Sequence, residues 1–300
     1  MPGWMRMPKD TKNTIWVVGE EGSGKTTLIT LLPIAALRMG WILLPDDNTT
    51  TGQHIYDWQH QLFSAGKFPP SWGDQRAKDF TFSHLDPEEW QRSQLMNRRQ
   101  RNHRSVVVVE QTIPRGDDTL PFSEELSLQA SVNQEFGVIY CLDVNHPSEA
   151  STTHLRDIVK ALGQSRSKSI RRLCIAFTKA DLLGQENLPG TGLSRMLRVE
   201  NFGEDGEDRR HSLSVTSEQI LEFMEQGSVR GLRESVSTQE RLECSFEVCT
   251  AVGVAKDDTE TYRPNVRGDN DHPAYVYDRR QIWWSGIDRV FLRVHSAGAP

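Results

Sequence analysis

A chain of 300 residues with 36% apolar and 25% charged side chains can bury a core as one large domain or two small ones. Its formal net charge of −6 argues against a general nucleic-acid binder. The four cysteines (Cys141, Cys174, Cys244, Cys249) form no Cys-x-x-Cys pair, which disfavours a zinc or disulfide framework and suits a reducing compartment.

Taken in chain order, the start "MPGWMRMPKD" lacks an apolar signal region. Thr14–Val18 is a short β-rich run ending at Gly19. A helix is expected from Lys25 to about Met39, with Pro33 kinking it or ending a turn. The run 28–44 holds Pro33, Arg38 and Gly40, so it falls short of a membrane span and reads as a buried helix followed by a short extended piece. A cytoplasmic protein with no membrane span is the expectation. Residues 45–73 read as irregular, with a helical patch at 55–63. Strands are expected at 79–85, 105–110, 137–144, 171–177 and 244–253. Helices are expected at 87–101, 148–164, 216–226 and 279–294. The polar stretches 200–211 and 255–272 read as surface loops. The alternation of strands with helices predicts an α/β layered domain with a mostly parallel sheet. No repeat or strong linker is visible, so one domain with insertions is expected.

The stretch "GEEGSGKT", Gly19 to Thr26, fits G-x-x-x-x-G-K-[ST] without a mismatch. Phosphates are anionic and need converging donors. Small residues let the loop curl its N–H groups inward, and the following helix adds its positive end. Gly19, Gly22, Ser23, Gly24, Lys25, Thr26 and Thr27 are the candidate phosphate residues. Lys25 would reach the β- and γ-phosphates, and the Thr26 hydroxyl would reach Mg²⁺. The bland alternative is a glycine-rich turn, and the loop by itself does not name the nucleotide.

Thr178-Lys179-Ala180-Asp181 fits [NT]-K-x-D at a strand end. Guanine presents N1–H and a 2-amino group side by side, and one carboxylate can accept both. Adenine would leave that carboxylate unpaired, so such a site can reject it strongly. The Lys179 stem would lie along the base plane. Thr250-Ala251 follows the last strand, where a small-residue turn could meet the guanine O6. Solvated turns with no ligand are the alternative for both stretches.

The two motifs in this order resemble a translation-factor-type (TRAFAC class) P-loop GTPase over about residues 14–294, with insertions near 45–104, 184–215 and 255–275. The Thr-rich stretch after the first helix and "GKFPPS" (66–71) are more narrowly similar to the prokaryotic double-GTPase families predicted in bacterial conflict systems. The resemblance implies a three-layer sandwich around a mostly parallel six-stranded sheet with one antiparallel edge strand. It also implies GTP/GDP and Mg²⁺ as ligands and two nucleotide-driven switch segments. A protein effector, or a second GTPase, is the implied partner.

The γ-phosphate switch of that family departs from its pattern here. "VVVV" ends in Glu110, and the next glycine is Gly116, with no glutamine after it. Glu110 is the candidate catalytic and Mg²⁺-binding carboxylate beside Lys25, and Gly116 could offer its N–H to the γ-phosphate. Asp117 or Gln111 could stand in for the missing glutamine. For the first switch, Thr49, Thr50, Thr51 and Ser71 are candidates, with Ser71 preferred as a metal ligand. The basic run 97–104 reads as a solvated helix end, with a phosphate contact or arginine finger as its alternative. The histidines show no metal-ligand spacing. Three readings follow: a slow GTP-hydrolysing switch, a GTP-locked scaffold that does not hydrolyse, and a P-loop ATPase.

Overall fold

The computed structural model describes residues 13–45, 50–70, 77–85, 104–115, 117–133, 135–164, 170–184, 199–202, 210–213, 217–226, 231–236, 241–256, 262–267, 275–276, 279, 282 and 284–295. Ser71, Gly116, Thr49, the expected helix at 87–101 and Trp283 lie outside the described residues.

Strand β1 (Asn13–Glu20) is buried along its whole length, as a central strand covered on both faces must be. Helix α1 (Lys25–Arg38) follows and continues through Pro33 as one helical span, at the cost of one ladder hydrogen bond. Next come β2 (Ile42–Pro45) and α2 (Thr50–His60), which passes into a π-helical turn at Gln61–Ala65. Strands β3 (Lys78–Leu85) and β4 (Arg104–Ile113) precede α3 (Ser123–Val132). Strand β5 (Glu135–Asp143), α4 (Ala150–Gly163) and β6 (Arg171–Thr178) form a β-α-β unit, and a 3₁₀ turn at Ala180–Gly184 follows. Then come β7 (Val199–Phe202), β8 (Arg210–Leu213), α5 (Ser217–Gln226), α6 (Leu232–Val236) and β9 (Leu242–Val248). The chain closes with β10 (Val254–Lys256), β11 (Tyr262–Pro264), β12 (Val266–Arg267), β13 (Tyr275–Val276) and α7 (Ile287–Val294).

The main sheet runs β2-β3-β4-β1-β5-β6-β9. Strands β4, β1, β5, β6 and β9 are mutually parallel, while β3 is antiparallel to both β2 and β4. The expectation of six strands is therefore corrected to seven, and the antiparallel strand lies one place in from the edge. The cause is the short apolar piece after Gly40. Ile42 pairs with Leu85 and Pro45 with Phe82, which lets Leu43 bury at 3% exposure.

Alternation along β1 splits the core into two. Trp16 and Val18 join Leu126, Leu155, Ile158, Ile220 and Leu232 on the face covered by α3 to α6. Ile15 and Val17 join Ile29, Leu32, Trp58, Val290 and Phe291 on the face covered by α1, α2 and α7. Each fully buried side chain of this kind contributes about 2 kcal/mol, so α7 is as much part of the core as α1.

Three expectations are corrected. The closing helix starts at Ile287 and not near 279, because Thr250 and Ser285 exchange backbone hydrogen bonds at 3.1 Å each, which holds Ser285 extended. The stretches 200–211 and 255–272 are not simply loops: β7 pairs with β8, and β10 with β11. The stretch 45–73 holds a longer helical element, α2 with its π turn, than the patch at 55–63. Trp284 is buried with Arg38 stacked over its ring at 3.7 Å, in keeping with a packing role. No described helix is long and apolar enough to cross a membrane.

Candidate functional site

Five parallel strands end on the same side of the sheet, and in such sheets ligands bind beyond the carboxyl ends of the strands. There β1 delivers the glycine-rich loop, β4 delivers Glu110 and Thr112, β6 delivers Thr178 to Asp181, and β9 delivers Cys249 to Val252. A single cleft of about 480 Å³ opens between them. Its lining includes Gly22, Gly24, Lys25, Thr26 and Thr27 from one motif and Thr178, Lys179 and Asp181 from the other. Ala251 and Glu110 line it as well. The two motifs are more than 150 residues apart in sequence, and one hydrogen bond ties them: the Thr178 hydroxyl donates to the Ser23 carbonyl at 2.8 Å.

The loop curls because Gly22 and Gly24 take left-handed backbone angles, φ 77° and 88°, that a side chain would resist. Gly24 caps α1 at its N-terminus, so the positive end of a 14-residue helix faces the cleft. Lys25 is 4% exposed, and its ammonium donates to the carbonyls of Gly19 (2.9 Å) and Glu20 (2.7 Å). Burial pulls its pKa below the ordinary lysine value, against the pull of Cys141 and Glu110. Ser23 is buried, its hydroxyl oxygen accepting from Lys25 Nζ at 3.5 Å, and neither Ser23 nor Gly19, the last residue but one of β1, lines the cleft.

Beside the lysine, the Thr26 hydroxyl donates to Glu110 Oε1 at 2.6 Å. Glu110 is 4% exposed, and its Oε2 is buried with no hydrogen-bond partner. Burial raises the Glu110 pKa, opposed by the Thr26 hydroxyl and then by Lys25. An unpartnered buried carboxylate oxygen next to a hydroxyl is a donor set that suits a hard cation such as Mg²⁺, with phosphate oxygens and water completing its shell. Among the described residues no group of three or more His, Cys, Asp or Glu could hold a metal by itself. Gln111 is buried in β4, and the Asp117 carboxylate accepts from the Thr119 N–H and hydroxyl; neither lines the cleft.

At the far end, Asp181 is 3% exposed and accepts a hydrogen bond from the Thr250 hydroxyl. The same hydroxyl oxygen accepts from the Gly253 N–H at 3.1 Å, so the small-residue turn after β9 is built around the acid. Burial pushes the Asp181 pKa up to about 6, against the Thr250 hydrogen bond. Lys179 is the one described non-glycine residue with positive φ, at 58°, a conformation that costs on the order of 1 kcal/mol.

No protein-family model matches the sequence, and no curated protein matches it. The fold is similar to that of an ADP-ribosylation-factor-like GTP-binding protein (small COPII coat GTPase SAR1) from Encephalitozoon cuniculi in complex with GDP. The identity is 9% and the TM-score 0.33, over 79% of this chain and 69% of that one. It is also similar to the S. cerevisiae Ski7 GTPase-like domain bound to GTP, at 12% identity and TM-score 0.37, over 79% of this chain and 43% of the Ski7 chain. At these scores the likeness is one of coarse layout, and what each cleft residue can do follows from the cleft itself.

Several lining residues carry no motif. Phe68, Pro69 and Pro70 come from the segment after the π turn, Val266 from β12 and Ile287 from α7. With Leu182, Ala251 and Val252 they make an apolar wall of the cleft. The Gly66 carbonyl accepts from the Val276 N–H at 2.7 Å, which braces that segment. Of these, only the stretch "GKFPPS" (66–71) gave a sequence signal, as part of the narrower resemblance.

Proposed function

We propose that the chain binds a guanine nucleotide with Mg²⁺ and acts as a switch that hydrolyses GTP slowly. The observation that carries this reading is the single cleft lined by Lys25 and Thr26 from one motif and by Lys179 and Asp181 from the other. Phosphates would lie at the N-terminus of α1, held by Lys25. The base would lie between the Lys179 stem and the apolar wall, with its N1–H and 2-amino group donating to Asp181. Mg²⁺, held by Thr26 and Glu110, would neutralise developing charge on the phosphates.

Slow hydrolysis is part of the reading because no glutamine directly follows Gly116 in the sequence and neither Gln111 nor Asp117 lines the cleft. The same observation favours the second reading, a GTP-bound scaffold that acts through contact alone. A protein effector, or a second GTPase as the narrower resemblance implies, belongs to this proposal. Titration of a fluorescent guanine nucleotide tests the base assignment. GTP and GDP are expected to displace it at far lower concentration than ATP; equal competition by ATP would overturn the guanine assignment and leave the P-loop ATPase reading to a turnover assay.

A further inference from the structure

The base end of the cleft depends on two residues outside both motifs. Asp143, the last residue of β5, is 7% exposed and sits in register with Thr178. Its Oδ2 accepts from Lys179 Nζ at 2.6 Å. Its Oδ1 accepts from the Asn145 N–H at 3.0 Å and from Asn145 Nδ2 at 3.5 Å. Asn145 Nδ2 also donates to the Lys179 carbonyl at 3.1 Å. One turn therefore grips Lys179 at its ammonium and at its backbone.

The grip has two consequences. Lys179 lines the cleft and Asp143 does not. With the ammonium drawn back to Asp143, the part of Lys179 left facing the cleft is its methylene stem, a flat apolar strip suited to a base plane. The bond to the Lys179 carbonyl braces the one left-handed non-glycine residue of the described chain, two positions before Asp181. Every hydrogen bond described for the Asp143 carboxylate serves this turn.

We propose that Asp143 and Asn145 are positioning residues of the base subsite: Asp143 sets the Lys179 stem for stacking, and Asn145 fixes the turn that aims Asp181. This rests on the guanine-nucleotide reading. The two roles differ in what they discriminate. Stacking is indifferent to the 2-amino group, whereas the aim of Asp181 is not.

The test is a double-mutant cycle read by affinity for GDP and for inosine diphosphate, whose base lacks that amino group. Asp143→Ala is expected to weaken both ligands by about tenfold, within the coupling range of contacting residues. In a Lys179→Met background, which keeps the stem but cannot pair, the loss on Asp143→Ala is expected to shrink to less than about twofold for inosine diphosphate, any remaining loss for GDP being the part that runs through Asn145. Asn145→Ala is expected to weaken GDP more than inosine diphosphate. Equal losses from Asp143→Ala in both backgrounds, or none in either, would overturn the Asp143 role. An unchanged preference between the two ligands in Asn145→Ala would overturn the Asn145 role. Melting of each nucleotide-free variant checks folding, and Asp143→Asn replaces Asp143→Ala if the latter does not fold. A wild-type chain that binds neither GDP nor GTP overturns the parent reading itself, before any variant is compared.

Discussion

At the scale of single residues, the proposed acceptor for the base is Asp181. Its carboxyl pKa is raised to about 6, first by burial. Guanine needs the ionised form as acceptor, so GTP affinity is expected to fall as pH drops through about 6. The sign for the nucleotide-free protein is opposite. An acid whose folded pKa lies above its unfolded value contributes stability that is complete below the unfolded pKa of 3.8 and lost as pH rises through about 6. Asp181→Asn should abolish the pH step in affinity and weaken GTP by about 100-fold, the order of cost of an unmade charged hydrogen bond. It should relatively favour a xanthine nucleotide, whose C2 carbonyl can accept from the new amide. Equilibrium titrations across pH check both, and unchanged GTP affinity would remove Asp181 from the site. The candidate residues Lys25, Thr26, Thr178 and Asp181 were legible because each sits in a short pattern; Glu110 was legible as the first charge after the apolar run of β4, although the strand continues to Ile113. Asp143 was not, because its partner Lys179 is 36 residues away and only strand register brings them together.

At the scale of elements, α7 shows how a local pattern misleads. The run 279–294 reads as one helix, yet Gly286 caps α7 in a left-handed conformation, φ 78°. A Cβ there would lie 1.9 Å from the Val248 carbonyl oxygen. Gly286→Ala is therefore expected to destabilise the fold by about 2 kcal/mol or more, read as a lower denaturant midpoint. Because Ile287 lines the cleft, GDP affinity should fall in the same variant. A midpoint equal to that of the unmodified chain would show that the turn before α7 is not held as described. Strand β2 is a different case: the sequence predicts a short extended piece there, and only its pairing was left to the tertiary structure. Four residues of ordinary apolar sequence became an edge strand because β3 offered a free antiparallel edge.

At the scale of the whole molecule, the cleft is a junction: it draws on loops from both ends of the chain. A ligand that binds only this folded arrangement stabilises it by mass action. GDP with Mg²⁺ at about 100 times its Kd should add about 2.7 kcal/mol to the unfolding free energy, and the melting temperature should rise with nucleotide concentration. Lys25→Ala should remove most of that rise, and ATP should produce little of it. Turnover separates the two functional readings. Single-turnover release of phosphate from bound GTP is expected to be slow but measurable; none, even with a candidate partner added, would leave the scaffold reading.

The sequence by itself determined the glycine-rich loop, the acid at the strand end and the alternation of strands with helices. Each of these is written in contiguous residues whose local geometry is nearly independent of context. Tertiary structure alone decided the seventh strand, the apolar wall of Phe68, Val266 and Ile287, and the grip of Asp143 and Asn145 on Lys179. Those features are contacts between segments far apart in the chain, fixed by strand register and by which faces must be buried.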